Sequence, residues 1–222
     1  MGCSVPSWLI PFVPLGVGFA ILLALAGCVN QDMQTSEDPE LATIVEQRIP
    51  GDMMQMPDYP AGCEIVSLIN TVKAFGVYLT FEEAYQCFDI SINDFVNAWW
   101  GDPYTVGAAY PPAMTNALNR ALDGTPYHAV NLSFGTIEDI FEYVKHGGLI
   151  VAWFTTDYEQ PRFTDWVIQE YRMYQNEHCI VVYDISGGEV KFMDPLQGNM
   201  SMDVSEWKSI WTACGTLTVG VI

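Results

Sequence analysis

Residues 55–76 of this chain, QMPDYPAGCEIVSLINTVKAFG, contain the pattern that decides the fold. A Pro/Gly-rich entry leads to apolar residues at the i, i+3, i+4, i+7 spacing of a helix with one buried face. Those residues are Ile65, Leu68, Ile69 and Val72. We predict a helix over residues 63–75, ended by Gly76. Cys63 then lies in its first turn, where the helix dipole and the free N–H groups favour a thiolate.

The composition excludes several classes of protein and partner. Half of the 222 residues are hydrophobic, which argues against general disorder and is enough for a sizeable core. The formal net charge is −19, from 8 basic and 27 acidic residues. Because this charge repels phosphate groups, we expect neither nucleic acid nor an anionic lipid surface as a partner.

The N-terminal region has the features of an export signal. It carries no charged side chain up to residue 31, and residues 15–27 form an unbroken apolar run before Cys28. This run is short for a membrane span and suits the apolar part of a signal peptide. Residues 25–28, Leu-Ala-Gly-Cys, resemble the lipobox of bacterial lipoproteins, which implies lipidation of Cys28.

We therefore predict three segments along the chain. They are a signal peptide with a lipobox-like end over residues 1–28, an acidic tether over residues 29–48, and a globular domain over residues 49–222. The protein would then be extracytoplasmic and anchored to the membrane. An uncleaved N-terminal anchor and a cleaved, secreted protein are the alternatives.

The pattern within the domain changes from helical to extended along the chain. Thr80 and Glu83 form a capping box that opens a second helix, and residues 99–104 are expected to form a turn-rich aromatic loop. Further helices are predicted over residues 111–122 and 136–146 and in a short segment after residue 203. Strands are predicted over residues 127–132, 149–154, 178–183, 189–193 and 217–222. Residues 155–176 are predicted to form a polar, aromatic connection that is partly helical over residues 166–174. This order predicts an α+β fold in which N-terminal helices pack on a mostly antiparallel sheet.

Three side chains along this order have the chemistry of a nucleophilic site. His178 begins a predicted strand, and Asp194 ends the strand that should pair with it. A thiol, an imidazole and a carboxylate are the nucleophile, the base and the group that orients the base in acyl transfer. Gln55, in the loop that leads to Cys63, could hold the oxyanion together with a backbone N–H. Each residue also has an ordinary alternative: a buried cysteine, a strand-end histidine, a turn aspartate or a solvated glutamine.

Strand alternation separates His178 from its neighbour. Ile180 and Val182 share the face of His178, whereas Cys179 and Val181 lie on the other face. If His178 points at the helix of Cys63, Cys179 is a buried filler of the core. Three cysteines, Cys87, Cys179 and Cys214, remain outside the candidate site and the N-terminal segment. At least one of them is free, or all three are buried thiols that act as small hydrophobic residues.

An ordered set of motifs resembles the peptidase C39-like family. The motifs are QMPDYPAGCE over residues 55–64, GDP over 101–103, GLIVAW over 148–153, HCIVV over 178–182 and DP over 194–195. The resemblance implies a papain-like cysteine protease fold, common in exported bacterial proteins, and a peptide or protein substrate.

The same resemblance implies a role for each site residue. Cys63 would be the nucleophile, His178 the base, Asp194 its orienter and Gln55 the oxyanion residue. The chain departs from the family pattern at Ala61, Glu177 and the pair Tyr183-Asp184. These departures leave every catalytic group in place but bear on the choice of substrate.

Other hypotheses use the same residues. An idle peptide-binding module of the same fold would use Trp99, Trp100, Trp153 and Tyr158 as contacts. An acyl transferase would pass the same thioester to an amine instead of water. A metal site could use Cys63, His178 and Cys179. The hydrolase hypothesis itself needs neither a metal nor a cofactor.

Overall fold

The fold is taken from a computed structural model, which describes residues 53–222. The predicted signal peptide, the lipidation of Cys28 and the whole predicted acidic tether lie outside the described residues. Within residues 53–222, no helix is both long enough and apolar enough to cross a membrane.

Helices dominate the first part of the described chain. Helix α1 spans Cys63–Ala74 and helix α2 spans Phe81–Gln86, while strands β1 (Trp100–Asp102) and β2 (Val106–Ala108) form a small hairpin before α3 (Pro111–Ala121). The predicted end of α1 is confirmed. The helix ends at Ala74, and Gly76 follows with a φ of +83°, a left-handed conformation that glycine adopts more readily than other residues. The predicted capping box of Thr80 and Glu83 is also present.

The remaining elements build a six-stranded sheet with two further helices. In chain order they are β3 (Ala129–Asn131), α4 (Ile137–Lys145), β4 (Leu149–Thr155), β5 (Phe163–Ile168), β6 (Tyr171–Tyr174), β7 (Glu177–Ser186), β8 (Glu189–Asp194), β9 (Gly198–Asp203), α5 (Val204–Ala213) and β10 (Thr218–Val221). The strand order in the sheet is β3-β10-β4-β7-β8-β9, and each neighbouring pair is antiparallel. Strands β5 and β6 form a separate hairpin.

The central strands of the sheet are buried on both faces, which explains why β4 is buried along its whole length and apolar from Leu149 to Phe154. One face packs with α1, α2 and α3 in a single core cluster, and the other packs with α4 and α5. The predicted α+β class with N-terminal helices on an antiparallel sheet is therefore confirmed, and the second helical layer adds to it.

The two faces of β7 correct one conditional expectation. Cys179 and Val181 share the core cluster of α1, and Ser67 in α1 donates a hydrogen bond from Oγ to the Cys179 carbonyl at 3.1 Å. Ile180 and Val182 belong to the opposite cluster. The face of β7 that turns to the helix is thus the face of Cys179. Cys179 is buried core, but the condition attached to that expectation is not met, because His178 lies on the opposite face with Ile180 and Val182.

Two further expectations were wrong. The connection over residues 155–176 contains the hairpin β5–β6 instead of a helical portion, because its β-branched and aromatic residues favour strands. Gln169 makes the turn of this hairpin possible with a φ of +56°. The aromatic loop at residues 99–104 likewise continues into the hairpin β1–β2, and strand β9 was not predicted at all.

Candidate active site

The loop over residues 55–62, which we call the entry loop, is hydrogen-bonded near each of its ends to another part of the fold. The Gln55 N–H donates to the Pro195 carbonyl at 2.9 Å, just after β8. The Ala61 N–H donates to the Pro103 carbonyl at 3.0 Å, in the hairpin β1–β2. These backbone bonds place the first turn of α1, and Cys63 with it, beside the end of β8. The sequence motifs around residues 55, 103 and 195 therefore meet in space.

The thiol of Cys63 is buried and hydrogen-bonded to a carboxylate. Only 7% of Cys63 is exposed, and its Sγ donates to Oε2 of Glu64 at 3.1 Å. The other oxygen of Glu64 accepts the Ala109 N–H at 2.9 Å, and Glu64 is fully buried. Glu64 is therefore held at both oxygens, between the thiol and the segment that leads to α3. Adjacency of Cys63 and Glu64 in the chain was the only sign of this contact before the structure.

A second carboxyl group joins this pair. Ligand-forming atoms of Cys63, Glu64 and Glu177 all lie within 4.8 Å of one another. Oε1 of Glu177 is buried and has no hydrogen-bond partner among residues 53–222. This is the one such group found in the described residues, so the hypothetical metal set of Cys63, His178 and Cys179 does not assemble there. Glu177 was singled out in the sequence only as a departure from the family pattern.

These neighbours reverse the expected electrostatics of the thiol. Burial first, and then the charges of Glu64 and Glu177, raise the pKa of the Cys63 thiol well above its ordinary value. Burial also raises the pKa of Glu177, with the charge of Glu64 adding to it, and burial raises the pKa of Glu64. The helix N-terminus was expected to favour a thiolate at Cys63, and in this conformation burial and two carboxyl groups oppose that effect. Two carboxyl groups and desolvation outweigh the dipole.

His178 and Asp194 form a buried ion-pair geometry. Nε2 of His178 lies 2.8 Å from Oδ1 of Asp194, and neither side chain is exposed by more than 1%. The antiparallel pairing of β7 with β8 brings them together, as strand order predicts. The Leu196 N–H also donates to Oδ1 of Asp194, at 2.6 Å, which fixes this carboxylate from the turn that follows β8.

A tyrosine occupies the other oxygen of Asp194. The Tyr158 hydroxyl donates to Oδ2 at 2.5 Å. Burial tends to raise the pKa of Asp194, but the hydrogen bond and charge of His178, followed by the hydrogen bond of Tyr158, hold it below its ordinary value. Asp194 is therefore ionised in the folded protein. Tyr158 appeared in the sequence only as a contact of a binding module, because the connection over residues 155–176 carried no motif.

Gln55 is buried in the entry loop with its amide directed at that loop. Its Nε2 donates to the Pro60 carbonyl at 2.8 Å, while its Oε1 has no hydrogen-bond partner among the described residues. An amide nitrogen carries two hydrogens, so one donor direction remains for another acceptor. The structure thus positions Gln55 eight residues before the thiol in a loop that the Pro195 carbonyl also holds.

The site consists of two groups of neighbouring side chains. One contains Cys63, Glu64 and Glu177, and the other contains His178 and Asp194 with Tyr158. The Cys63 thiol bonds to Glu64, and it makes no hydrogen bond with His178 in the described part of the chain. The two groups are nevertheless electrostatically connected, because the charge of His178 is one of the effects that lower the pKa of Glu64.

Other candidate residues lie elsewhere. Trp99 and Trp153 are fully buried, and the Trp153 ring N–H donates to the Ala109 carbonyl, so neither is available as a surface contact for a peptide. Trp100 is half-buried. Cys87, Cys179 and Cys214 are all free thiols, and Cys179 and Cys214 are buried, whereas Cys87 is partly exposed and so departs from the alternative of three buried thiols.

A comparison with protein families decides which family has this arrangement. The model of the Peptidase_C39 like family matches residues 47–219, which is most of the chain. The chain belongs to this family. The resemblance noted from the motifs is thereby confirmed, and membership supports a peptidase-type activity. Among curated proteins no match was found.

One solved structure agrees with the assignment to the C39-like family at the level of the fold. The crystal structure of a provisionally assigned C39-like peptidase from Bacillus anthracis is similar, with a TM-score of 0.66 and 21% identity. The alignment covers 78% of this chain and 96% of that one. A double glycine motif protease from an AMS/PCAT transporter, in complex with the leader peptide, has a TM-score of 0.43 and 13% identity, over 76% of this chain and 86% of that one.

Proposed function

We propose that this protein is a cysteine hydrolase that cleaves peptide or isopeptide bonds through a triad of Cys63, His178 and Asp194. The observation that carries the proposal is the buried contact between His178 Nε2 and Asp194 Oδ1 at 2.8 Å. With Asp194 ionised, Nε2 carries the hydrogen and Nδ1 is left as the basic nitrogen. That is the tautomer a thiol needs from its base.

The reaction begins when the Cys63 thiol leaves Glu64 and gives its proton to Nδ1 of His178. The sulfur then bonds to the substrate carbonyl carbon, and negative charge develops on the carbonyl oxygen. The N–H of Cys63, in the first turn of α1, and the side-chain amide of Gln55 are the donors for this oxyanion. Each is on a backbone segment fixed by hydrogen bonds, so little reorganisation is required.

The remaining steps return the enzyme to its starting state. His178 donates its proton to the leaving amine as the C–N bond breaks, which leaves a thioester on Cys63. A water molecule then attacks the thioester, with His178 taking its proton, and the acid product departs as the thiol is restored. If an amine replaces this water, the product is a new amide and the enzyme is a transferase.

The location of the enzyme is part of the proposal. The apolar run and the lipobox-like residues 25–28 support export and lipidation at Cys28, with the acidic segment as a tether. Detergent phase partitioning of the full chain tests this. We expect the wild type in the detergent phase and Cys28→Ser in the aqueous phase. An unchanged distribution contradicts lipidation. If both proteins are in the detergent phase, an uncleaved anchor is favoured, and if both are in the aqueous phase, a secreted protein is favoured.

The hydrolase proposal is tested with an electrophilic peptide probe and a peptide library. We expect the probe to label wild type and Cys87→Ala but not Cys63→Ala, as measured by intact mass and peptide mapping. Cys87 is the matched control, because its thiol is free and more exposed than Cys63. Equal labelling of Cys63→Ala and wild type, or library turnover by Cys63→Ala, would contradict the assignment of the nucleophile.

A second candidate function rests on the state of the thiol. Cys63 is buried and its pKa is raised by burial and by Glu64 and Glu177, which also suits an idle peptide-binding module of the same fold. Binding of library peptides without any cleavage, in a sample whose Cys63 is intact by mass, would favour this function. Cleavage at defined bonds would exclude it.

A further inference from the structure

Both oxygens of Asp194 are occupied by side chains of different elements. His178 takes Oδ1 at 2.8 Å, and Tyr158 donates its hydroxyl to Oδ2 at 2.5 Å. We propose that Tyr158 is a positioning residue that fixes Asp194 and, through it, the tautomer and orientation of His178. This inference rests on the proposed hydrolase function, and it adds a fourth side chain to the triad.

The backbone of Tyr158 is held in an unusual conformation. Its φ is +57°, in the left-handed region that residues with side chains seldom adopt, and such a conformation persists only where the surroundings hold it. Here the preceding residue provides the restraint, because the Asp157 carboxylate pairs with Arg162 and accepts a hydrogen bond from Asn176 Nδ2 at 2.9 Å. The Thr155 hydroxyl adds a bond to the Glu159 carbonyl at 2.8 Å.

These restraints connect the loop to the strand of His178. Asn176 lies two residues before His178, and its carbonyl accepts the Thr156 N–H at 3.0 Å. Its side-chain oxygen accepts the Arg162 N–H at 2.8 Å. Asn176 therefore joins the loop of Tyr158, the start of the hairpin β5–β6 and the start of β7. A shift in the loop would move the hydroxyl away from Asp194.

The ring of Tyr158 packs across the two strands involved. Its centroid lies 6.1 Å from that of Phe154 and 6.0 Å from that of Phe192. Phe154 is the cross-strand partner of His178 in the pairing of β4 with β7, and Phe192 is in β8, two residues before Asp194. The packing of the ring against β4 and β8 thus holds the Tyr158 hydroxyl next to the pair of His178 and Asp194. Replacement by phenylalanine preserves this packing and removes only the donor.

The hydroxyl also has an electrostatic effect that can be measured. Burial opposes ionisation of Asp194, and hydrogen bonds from His178, Tyr158 and the Leu196 N–H offset it. Removal of the hydrogen bond from the Tyr158 hydroxyl therefore raises the pKa of Asp194. Below that pKa the carboxyl is neutral and no longer holds the hydrogen on Nε2 of His178, so the base is lost at a higher pH than in wild type.

The test compares Tyr158→Phe with wild type and with the control Tyr143→Phe, which alters a tyrosine of α4 outside the site. In the pH profile of kcat/KM, we expect the low-pH limb of Tyr158→Phe to lie about one pH unit higher than that of wild type. At neutral pH we expect kcat to fall about tenfold with KM nearly unchanged. Tyr143→Phe should match wild type. A purely structural role would instead lower Tm and leave the limb in place, and that result would overturn the proposal.

A measurement independent of turnover separates this inference from the proposed function. Histidine is rare in the chain, with 3 residues, so the ring N–H signal of His178 can be assigned by NMR with His178→Gln. We expect the downfield Nε2–H signal of His178 to broaden through faster exchange in Tyr158→Phe. An unchanged signal overturns the positioning role. Turnover by Cys63→Ala would instead overturn the hydrolase function while leaving the Tyr158 contact testable.

Discussion

The thiol of Cys63 donates its hydrogen bond to Glu64, the next residue in the chain, at 3.1 Å. The carboxylate is in turn held by the Ala109 N–H, so the nucleophile rests against a fixed acceptor. Glu177 lies in the same group of ligand-forming atoms. The proposed catalytic cysteine is therefore protonated and covered at rest, and it must turn from Glu64 towards His178 before it can react.

Resting reactivity follows from this arrangement. We expect a small alkylating reagent such as iodoacetamide to label Cys87 at least about ten times faster than Cys63, because only the thiolate reacts and Cys63 is desolvated among carboxyl groups. A peptide electrophile should reverse this order, since binding positions it at the site. Peptide mapping over time measures both rates. Faster labelling of Cys63 by the small reagent would contradict a covered resting thiol.

Glu177→Gln tests the effect of the second carboxyl group on stability. Burial raises the pKa of Glu177 in the folded protein. Its contribution to the free energy of unfolding is therefore complete below the ordinary glutamate pKa of about 4.3 and is lost as the pH rises through the folded pKa. Glutamine has no such loss. The variant should match wild type near pH 4 and exceed its free energy of unfolding by about 1 kcal/mol or more at pH 8.

Thermal melts between pH 4 and pH 8 measure this difference, with Glu159→Gln, an exposed glutamate, as the control. A gap between Glu177→Gln and wild type that is constant with pH would contradict a raised pKa for Glu177.

Asp194→Asn should separate orientation from folding. The amide oxygen can still accept the Leu196 N–H, so the turn after β8 is retained. The same oxygen can still accept the Nε2 hydrogen of His178, but a neutral amide does not stabilise the positive charge that His178 gains when it takes the thiol proton. We expect kcat to fall by about a thousandfold or more, with a change in Tm of a few degrees at most. Activity within about tenfold of wild type would show that Asp194 is not the orienter.

Gln55→Ala removes the proposed side-chain donor to the oxyanion. Loss of one such donor typically costs about a hundredfold in kcat, because the interaction exists mainly in the transition state. We expect KM to stay within about threefold and probe binding to persist. The same side chain holds the Pro60 carbonyl, so Tm is measured alongside. A rise in KM with unchanged kcat would indicate that Gln55 only shapes the entry loop.

Local signals predicted much of the fold. The apolar spacing after Cys63 located α1, and Gly187-Gly188, both at positive φ, made the turn between β7 and β8 that aligns His178 with Asp194. These elements are specified by residues close together in the chain, where periodicity and turn chemistry act directly. The hairpin β5–β6 was missed because Trp166 and Val167 are adjacent, apolar and both exposed, which breaks the alternation of apolar and polar residues typical of a strand.

The protonation state of the site could not be predicted in the same way. The helix N-terminus of Cys63 favours a thiolate when considered alone. Whether Glu64 turns inward and whether Glu177 joins it depend on the packing of β7 against α1, which spacing does not specify. Tyr158 was placed against Asp194 by a loop with a positive φ and by Asn176, and neither feature is visible as a motif.

The most direct measurement is a crystal structure of the protein after reaction with a peptide aldehyde. We predict a covalent bond from Cys63 Sγ to the aldehyde carbon, with Nδ1 of His178 within about 3.5 Å of the sulfur and the new oxygen facing Gln55. An adduct in which the imidazole stays beyond about 6 Å from the sulfur, or an aldehyde bound with Cys63 unmodified, would contradict the triad.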